Sequence, residues 1–212
     1  MKKKTFYFLI DTSESMRGAR GDAVNVAMRE VVEQVIPAAL DQKDAELNIS
    51  FAVLTFSTDY HDICNLNLDW VIPKTKMEEV PEWQDIEPER FSGLAPIGEA
   101  VTKVIEDILN GCFGEPDPET VAPTILLISD GNFDESEFEE ALKYADKDSE
   151  NYCPDYARAD RIAIGIQAND DGHAMLEKFS HLSRRKEAAG FKKYYDFFND
   201  SLKQFLVILC HL

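Results

Sequence analysis

The feature that most constrains the fold is a series of short apolar runs separated by longer amphipathic segments. The apolar runs at 5–10, 47–56 and 124–129 have the length of β-strands, and the first and last suit strands buried on both faces. The segments at 22–40 and 97–109 carry apolar residues at the three- and four-residue spacing of amphipathic helices, and Pro37 predicts the end of the first helix. Strands that alternate with helices predict right-handed crossovers and a mostly parallel sheet.

The same alternation continues toward the C-terminus. The remaining predicted elements are one or two strands within 63–72, strands at 161–167 and 192–197, and helices at 136–145, 173–182 and 200–209. The sequence therefore predicts a single α/β domain over residues 1–212, with a doubly wound, mostly parallel central sheet and helices on both faces. We expect one antiparallel edge strand and four inner strands, at 6–10, 49–55, 124–129 and 161–166.

The excess of acidic over basic residues argues against two classes of partner. The 212 residues include 22 Lys and Arg but 40 Asp and Glu, which gives a formal net charge of −18. Nucleic acids and anionic membranes attract basic surfaces, so we expect neither as the main partner. The four cysteines form no CxxC pair, which indicates reduced thiols, and no apolar run has the length of a membrane span. We therefore expect a cytoplasmic location.

Polar residues follow two of the predicted strands at the point where each strand ends. Asp11, Ser13 and Ser15 alternate directly after the first strand, and Asp130 follows the strand at 124–129. Ligands of such folds bind outside the carboxyl ends of the parallel strands. Two carboxylates and two hydroxyl groups are hard oxygen ligands that suit Mg²⁺ or Mn²⁺. The sequence therefore predicts a metal site whose open position accepts a carboxylate from a partner protein.

Local turn chemistry is the simpler interpretation of these residues. Asp and Ser are common at helix N-caps and in turns, and Asp130 fits a strand-to-helix turn. A single cap explains either Ser13 or Ser15. It does not explain three polar residues in alternation at the end of a strand.

The stretch at 11–18, Asp-Thr-Ser-Glu-Ser-Met-Arg-Gly, resembles the metal-ion-dependent adhesion site (MIDAS) of von Willebrand factor A (vWA) domains. Residues 9–18 and 23–26 are similar to the TerY-like bacterial branch, which is associated with tellurium-resistance and stress-response gene clusters. The Ser-Asp-Gly element at 129–131 extends the resemblance, which covers nearly the whole chain in element order. It implies a Rossmann-like vWA fold and a non-enzymatic protein-binding module acting in a stress or tellurium-resistance complex.

One position departs from the family pattern. The family supplies a further metal ligand, usually Thr, from a loop of the form Gly-Gly-Thr-x-x-Gly. The matching stretch at 93–98 is Gly-Leu-Ala-Pro-Ile-Gly, which places Ala95 where the Thr is expected. Alanine has no oxygen to offer, so the occupancy by Mg²⁺ or Mn²⁺ stays open, and a metal-free vWA scaffold is the alternative.

A third class of function is a phosphotransfer enzyme of the haloacid-dehalogenase type, in which an Asp after the first strand is the nucleophile. That chemistry needs an acid two residues later to protonate the leaving group, and this position is Ser13. Asp170 and Asp171 fit a later metal-binding pair of such enzymes. Because the acid is missing, we expect a binding protein and no catalytic residue.

Overall fold

A six-stranded sheet forms the centre of the computed structural model, which describes residues 2–42, 47–62, 64–110, 121–181 and 194–196. Its strands are β1 (Lys2–Asp11), β2 (Leu47–Thr58), β3 (Leu66–Lys76), β4 (Thr124–Ser129), β5 (Asp160–Gly165) and β6 (Tyr194–Asp196). They lie in the order β3-β2-β1-β4-β5-β6. All neighbouring pairs are parallel except β2 with β3, so the antiparallel strand lies at one edge. The predicted fold class is confirmed.

The four segments expected inside the sheet are its inner strands, β2, β1, β4 and β5. Every residue of β4 is buried, which fits its continuous apolar run. Along β1, Phe6, Phe8 and Ile10 pack into one apolar layer, whereas Tyr7 and Leu9 pack into the other. Both faces of the sheet therefore carry a hydrophobic core.

Helices cover these two faces. They are α1 (Ala19–Glu30), α2 (Ile36–Gln42), α3 (Ile97–Asn110), α4 (Glu135–Lys143), α5 (Pro154–Arg158) and α6 (Asp170–His181). The apolar side chains of α1 and α2 join the layer that contains Phe8, and those of α3, α4 and α6 join the layer that contains Tyr7. None of the helices described has the length and apolar character that crossing a bilayer requires.

The first helical segment continues beyond Pro37, where its sequence pattern predicts a stop. Val31–Val35 form a π-helical turn, in which the N–H of Ile36 donates to the carbonyl of Val31, and α2 then runs to Gln42. Pro37 has no N–H for the carbonyl four residues before it, and its ring needs space at that point. The wider π turn provides this space, so the helix changes its hydrogen-bond pattern instead of ending.

Three further segments refine the predicted elements. Strand β3 extends to Lys76, beyond the end of the segment 63–72 in which one or two strands were predicted. Helix α5 was not predicted, because its five residues are too few for a periodic pattern. Strand β6 lies within the segment 192–197 that was predicted as a strand. The predicted helix at 200–209 lies outside the described residues.

The pairing register brings the carboxyl ends of three parallel strands together. Ile10 of β1 pairs with Ile128 of β4, and Ser129 of β4 pairs with Gly165 of β5. The loops that follow these strands therefore begin at the same edge of the sheet.

Candidate metal centre

Asp11, the last residue of β1, is fully buried at this edge. Its Oδ1 accepts a hydrogen bond of 2.8 Å from the N–H of Ser13, and its Oδ2 accepts one of 2.5 Å from the hydroxyl of Ser129. Burial, with a smaller contribution from the negative charge of Asp130, raises the pKa of Asp11 from 3.8 to about 6 despite these hydrogen bonds. A buried carboxylate is costly unless it is paired, so a nearby cation stabilises its charged form.

Ser13 and Ser15 lie in the turn after β1, and their hydroxyl oxygens are 3.1 Å apart. The turn is held by one short 3₁₀ segment, Glu14–Met16, in which the N–H of Met16 donates to the carbonyl of Ser13. Ser13 occupies the N-cap position of that segment, but its side chain makes no capping hydrogen bond. The two hydroxyl groups therefore lie beside each other without serving the local turn.

Asp130 follows β4 and reaches the same edge, where it is 5% exposed. Its Oδ1 accepts a hydrogen bond of 3.1 Å from the N–H of Asn132. Its Oδ2 accepts one of 3.0 Å from Nη1 of Arg20, and the same nitrogen donates to the carbonyl of Ser15 at 2.6 Å. The Arg20 side chain thus joins the Asp130 loop to the loop after β1.

The structure brings together all four residues that the sequence suggested as metal ligands. Ser129 links the two strand ends, because its hydroxyl donates to Asp11 and accepts a hydrogen bond of 2.9 Å from the N–H of Gly131. Arg20 completes the link between Ser15 and Asp130. The four residues therefore lie at the carboxyl end of the sheet, joined through Ser129 and Arg20.

The loop that carries Ala95 lies beside the loop after β1. The N–H of Glu14 donates to the carbonyl of Gly93 at 3.1 Å, and the N–H of Ser92 donates to the carbonyl of Thr12 at 2.9 Å. Ala95 is buried, and its methyl group packs in the apolar layer on the α3 side of the sheet. This loop is therefore adjacent to the candidate site, but its residue 95 supplies no side-chain oxygen.

Sequence reasoning missed two residues of this edge, Arg20 and Gln167. Arg20 is the second residue of α1, where the helix dipole disfavours a positive charge. This unfavourable position in the sequence could have marked Arg20 as a residue with a specific role. Gln167 has a left-handed backbone with φ of 51°, and its carbonyl accepts a hydrogen bond of 3.1 Å from Nη2 of Arg20. The two residues are 147 positions apart, so no local pattern predicts their contact.

Solved structures show where else this fold occurs. BatB from Bacteroides thetaiotaomicron matches with a TM-score of 0.56 and 16% identity, over 97% of this chain and 95% of that one. The manganese-loaded TRAP protein of Plasmodium vivax matches with a TM-score of 0.50 and 15% identity, over 99% and 74%. Proximal thread matrix protein 1 of the mussel byssus, with a zinc-occupied MIDAS motif, matches with a TM-score of 0.56 and 17% identity, over 99% and 47%. Likeness at these identities shows a shared fold.

The family of the chain follows from its sequence. No curated protein matches it. The family model of the von Willebrand factor type A domain matches residues 6–204, which includes the strand ends described above. The chain therefore belongs to the von Willebrand factor type A domain family.

Proposed function

We propose that the chain is a non-enzymatic protein-binding module that holds Mg²⁺ or Mn²⁺ through Asp11, Ser13, Ser15 and Asp130. The observation that carries this proposal is the convergence of two carboxylates and two hydroxyl groups at the carboxyl end of the sheet. When bound, the ion would supply a positive centre for a carboxylate of a partner protein.

The chemistry of the donor set fits such an ion. Carboxylate and hydroxyl oxygens are hard ligands, and two carboxylates balance the charge of one divalent cation. Within the described part of the chain, no three His, Cys, Asp or Glu side chains are grouped to hold a metal, so the hydroxyl groups are needed beside the two carboxylates. The buried charge of Asp11 adds a further reason for a cation at this edge.

Metal binding that depends on Asp11 is the first expected result. Isothermal titration calorimetry with Mn²⁺ should show one site in the wild-type protein and none in Asp11→Ala, since that variant removes a carboxylate at the centre of the set. Asp85→Ala is the matched control, because Asp85 is an exposed carboxylate that pairs with Arg29. Loss of binding in both variants, or in neither, would count against the proposed site.

Restoring the missing family ligand is the second expected result. If water takes the place of the Thr oxygen, its ordering costs up to ~2 kcal/mol, which corresponds to a loss of at most roughly thirtyfold in affinity. Ala95→Thr should therefore tighten Mn²⁺ binding measurably, within that limit. Equal affinity in the wild-type and Ala95→Thr proteins would mean that residue 95 does not face the ion.

We also propose that the protein acts in the cytoplasm, in a bacterial stress or tellurium-resistance complex. The similarity of residues 9–18 and 23–26 to the TerY-like branch supports the type of complex. The free thiols of Cys64 and Cys153 fit a reducing compartment.

A pull-down from the native cell should retain a protein partner with the wild type, and lose it with Asp11→Ala or after chelation of divalent ions. A partner captured equally in all three conditions would exclude metal-dependent recognition.

A metal-free scaffold is the second candidate function, and two observations favour it. Ala95 lacks a ligand oxygen, and the Arg20 guanidinium already provides a positive charge to Asp130. In this case the calorimetry above shows no Asp11-dependent binding while the partner is still captured. Phosphotransfer has no such support, because the hydroxyl of Ser13 lies beside that of Ser15 where an acid is required. We expect no turnover of a generic phosphate ester.

A further inference from the structure

The guanidinium of Arg20 is held by acceptors from three separate segments of the chain. Nη1 donates to the Ser15 carbonyl at 2.6 Å and to Oδ2 of Asp130 at 3.0 Å, and Nη2 donates to the Gln167 carbonyl at 3.1 Å. These acceptors follow β1, β4 and β5, so one side chain ties together the ends of three strands. The three acceptor oxygens together form a site that binds a positively charged group.

The backbone of Gln167 indicates that this arrangement is built into the fold. Gln167 is the single non-glycine residue with a positive φ among those described, and such a conformation costs on the order of 1–3 kcal/mol. The N–H of the preceding Ile166 donates to the carbonyl of Ser129 at 2.9 Å, which fixes this segment against the end of β4. The strained residue thereby presents its carbonyl to Arg20.

Arg20 and a metal ion would need the same negative group. The Asp130 carboxylate holds the guanidinium and is also a proposed metal ligand, whereas Ser15 offers the guanidinium its carbonyl and would offer the metal its hydroxyl. Asp130 is almost fully buried, whereas the Arg20 side chain is 30% exposed. A cation at Asp130 would therefore repel the guanidinium, and the long Arg20 side chain has solvent on one side into which it can move.

The hydrogen bonding of Arg20 is also incomplete. Its Nε is buried and has no hydrogen-bond partner in the structure. A buried donor without an acceptor costs free energy, which reduces the advantage of the bound position. Three hydrogen bonds thus hold the Arg20 guanidinium at Asp130. Its unpartnered Nε lowers the free-energy cost of moving it away.

We propose that Arg20 is a built-in competitor of the metal ion, and that a divalent cation binds only when the guanidinium leaves Asp130. This inference rests on the proposed metal site and adds its regulation. In the metal-free protein, the Arg20 guanidinium provides the positive charge at the site. In the metal-bound protein, the displaced Arg20 side chain lies at the edge of the site, where it can pair with an acidic group of a partner.

Mn²⁺ affinity in a set of arginine variants tests this inference. Arg20→Gln removes the competing charge, so its affinity should rise about tenfold or more, the effect expected for losing a charge-assisted hydrogen bond. Arg20→Lys keeps a charge without the fork that spans Asp130 and Gln167, so its affinity should lie between those of the wild type and Arg20→Gln. Arg29→Gln is the matched control, because it removes the same charge from an exposed position of the same helix.

The outcomes separate this inference from the proposed function. Tighter binding in Arg20→Gln, with Arg29→Gln close to the wild type, supports competition, and so does binding that is detectable only in Arg20→Gln. Unchanged or weaker binding in Arg20→Gln and Arg20→Lys, with the wild-type site still dependent on Asp11, overturns competition and leaves the metal site standing. Absence of binding in every protein overturns both. Thermal melts of each variant establish that the affinities refer to folded protein.

Discussion

Replacing Asp11 by Asn is expected to stabilise the metal-free protein at pH 7. Burial raises the pKa of Asp11 from 3.8 to about 6, so the folded state holds its proton more tightly than the unfolded state does. The ionised carboxylate therefore costs stability above the folded pKa, by about 3 kcal/mol for a rise of this size. Asn keeps an acceptor for the N–H of Ser13 and removes the charge. The free energy of unfolding in urea with EDTA should rise by about 1–3 kcal/mol.

The pH dependence identifies the cause of this effect. At pH 4 the carboxyl group is almost fully protonated in the folded state and about half protonated in the unfolded state, so most of the advantage of Asp11→Asn should be lost. Asp85→Asn, at an exposed ion pair, should change stability by less than about 1 kcal/mol at pH 7. A destabilised Asp11→Asn, or an advantage that is equal at pH 7 and pH 4, would refute the proposed cost of the buried charge.

Replacing Gly131 by Ala is expected to destabilise the folded protein strongly. Gly131 has a φ of 78°, and a Cβ added there would lie 2.4 Å from the carbonyl oxygen of Gly172 and 2.6 Å from its Cα. Both neighbours are backbone atoms of α6, so the loop after β4 must move and carry Asp130 with it. The free energy of unfolding should fall by about 3–5 kcal/mol, the range of severe backbone collisions. The measurement is urea unfolding followed by circular dichroism.

Gly18 provides the control for this substitution. Its φ is 77°, but a Cβ there meets no atom within 4 Å. Gly18→Ala therefore reports the conformational strain alone, about 1–3 kcal/mol. Equal losses for the two variants would show that the close approach of Gly131 to Gly172 contributes nothing to stability.

Much of the fold could be predicted because the apolar runs are continuous. A strand such as β4 is buried on both faces, so it needs no alternation to be recognised, and its length separates it from the helices. The end of the first helical segment was harder to predict. Pro37 is a strong local signal for a helix end. The π turn before it accommodates the proline by changing the hydrogen-bond pattern, and the packing of α2 on the sheet favours continuation of the helix.

The candidate site was predictable where its residues depend on local order. Asp11, Ser13 and Ser15 are spaced within five positions, and Asp130 directly follows a recognisable strand. Parallel pairing then forces both strand ends to one edge. The role of Arg20 depends instead on a rotamer and on the unusual backbone of Gln167, which only the folded chain brings together. Ala95 showed in the sequence that a family ligand is missing. It could not show that the Arg20 guanidinium lies beside Asp130, because that contact forms only in the folded chain.

Anomalous diffraction from crystals grown with Mn²⁺ tests the metal site most directly. The expected result is a manganese peak enclosed by the side chains of Asp11, Ser13, Ser15 and Asp130, with the Arg20 guanidinium displaced from Asp130. The contradicting result is a guanidinium that stays on Asp130 at millimolar Mn²⁺, with no manganese peak at the carboxyl end of the sheet.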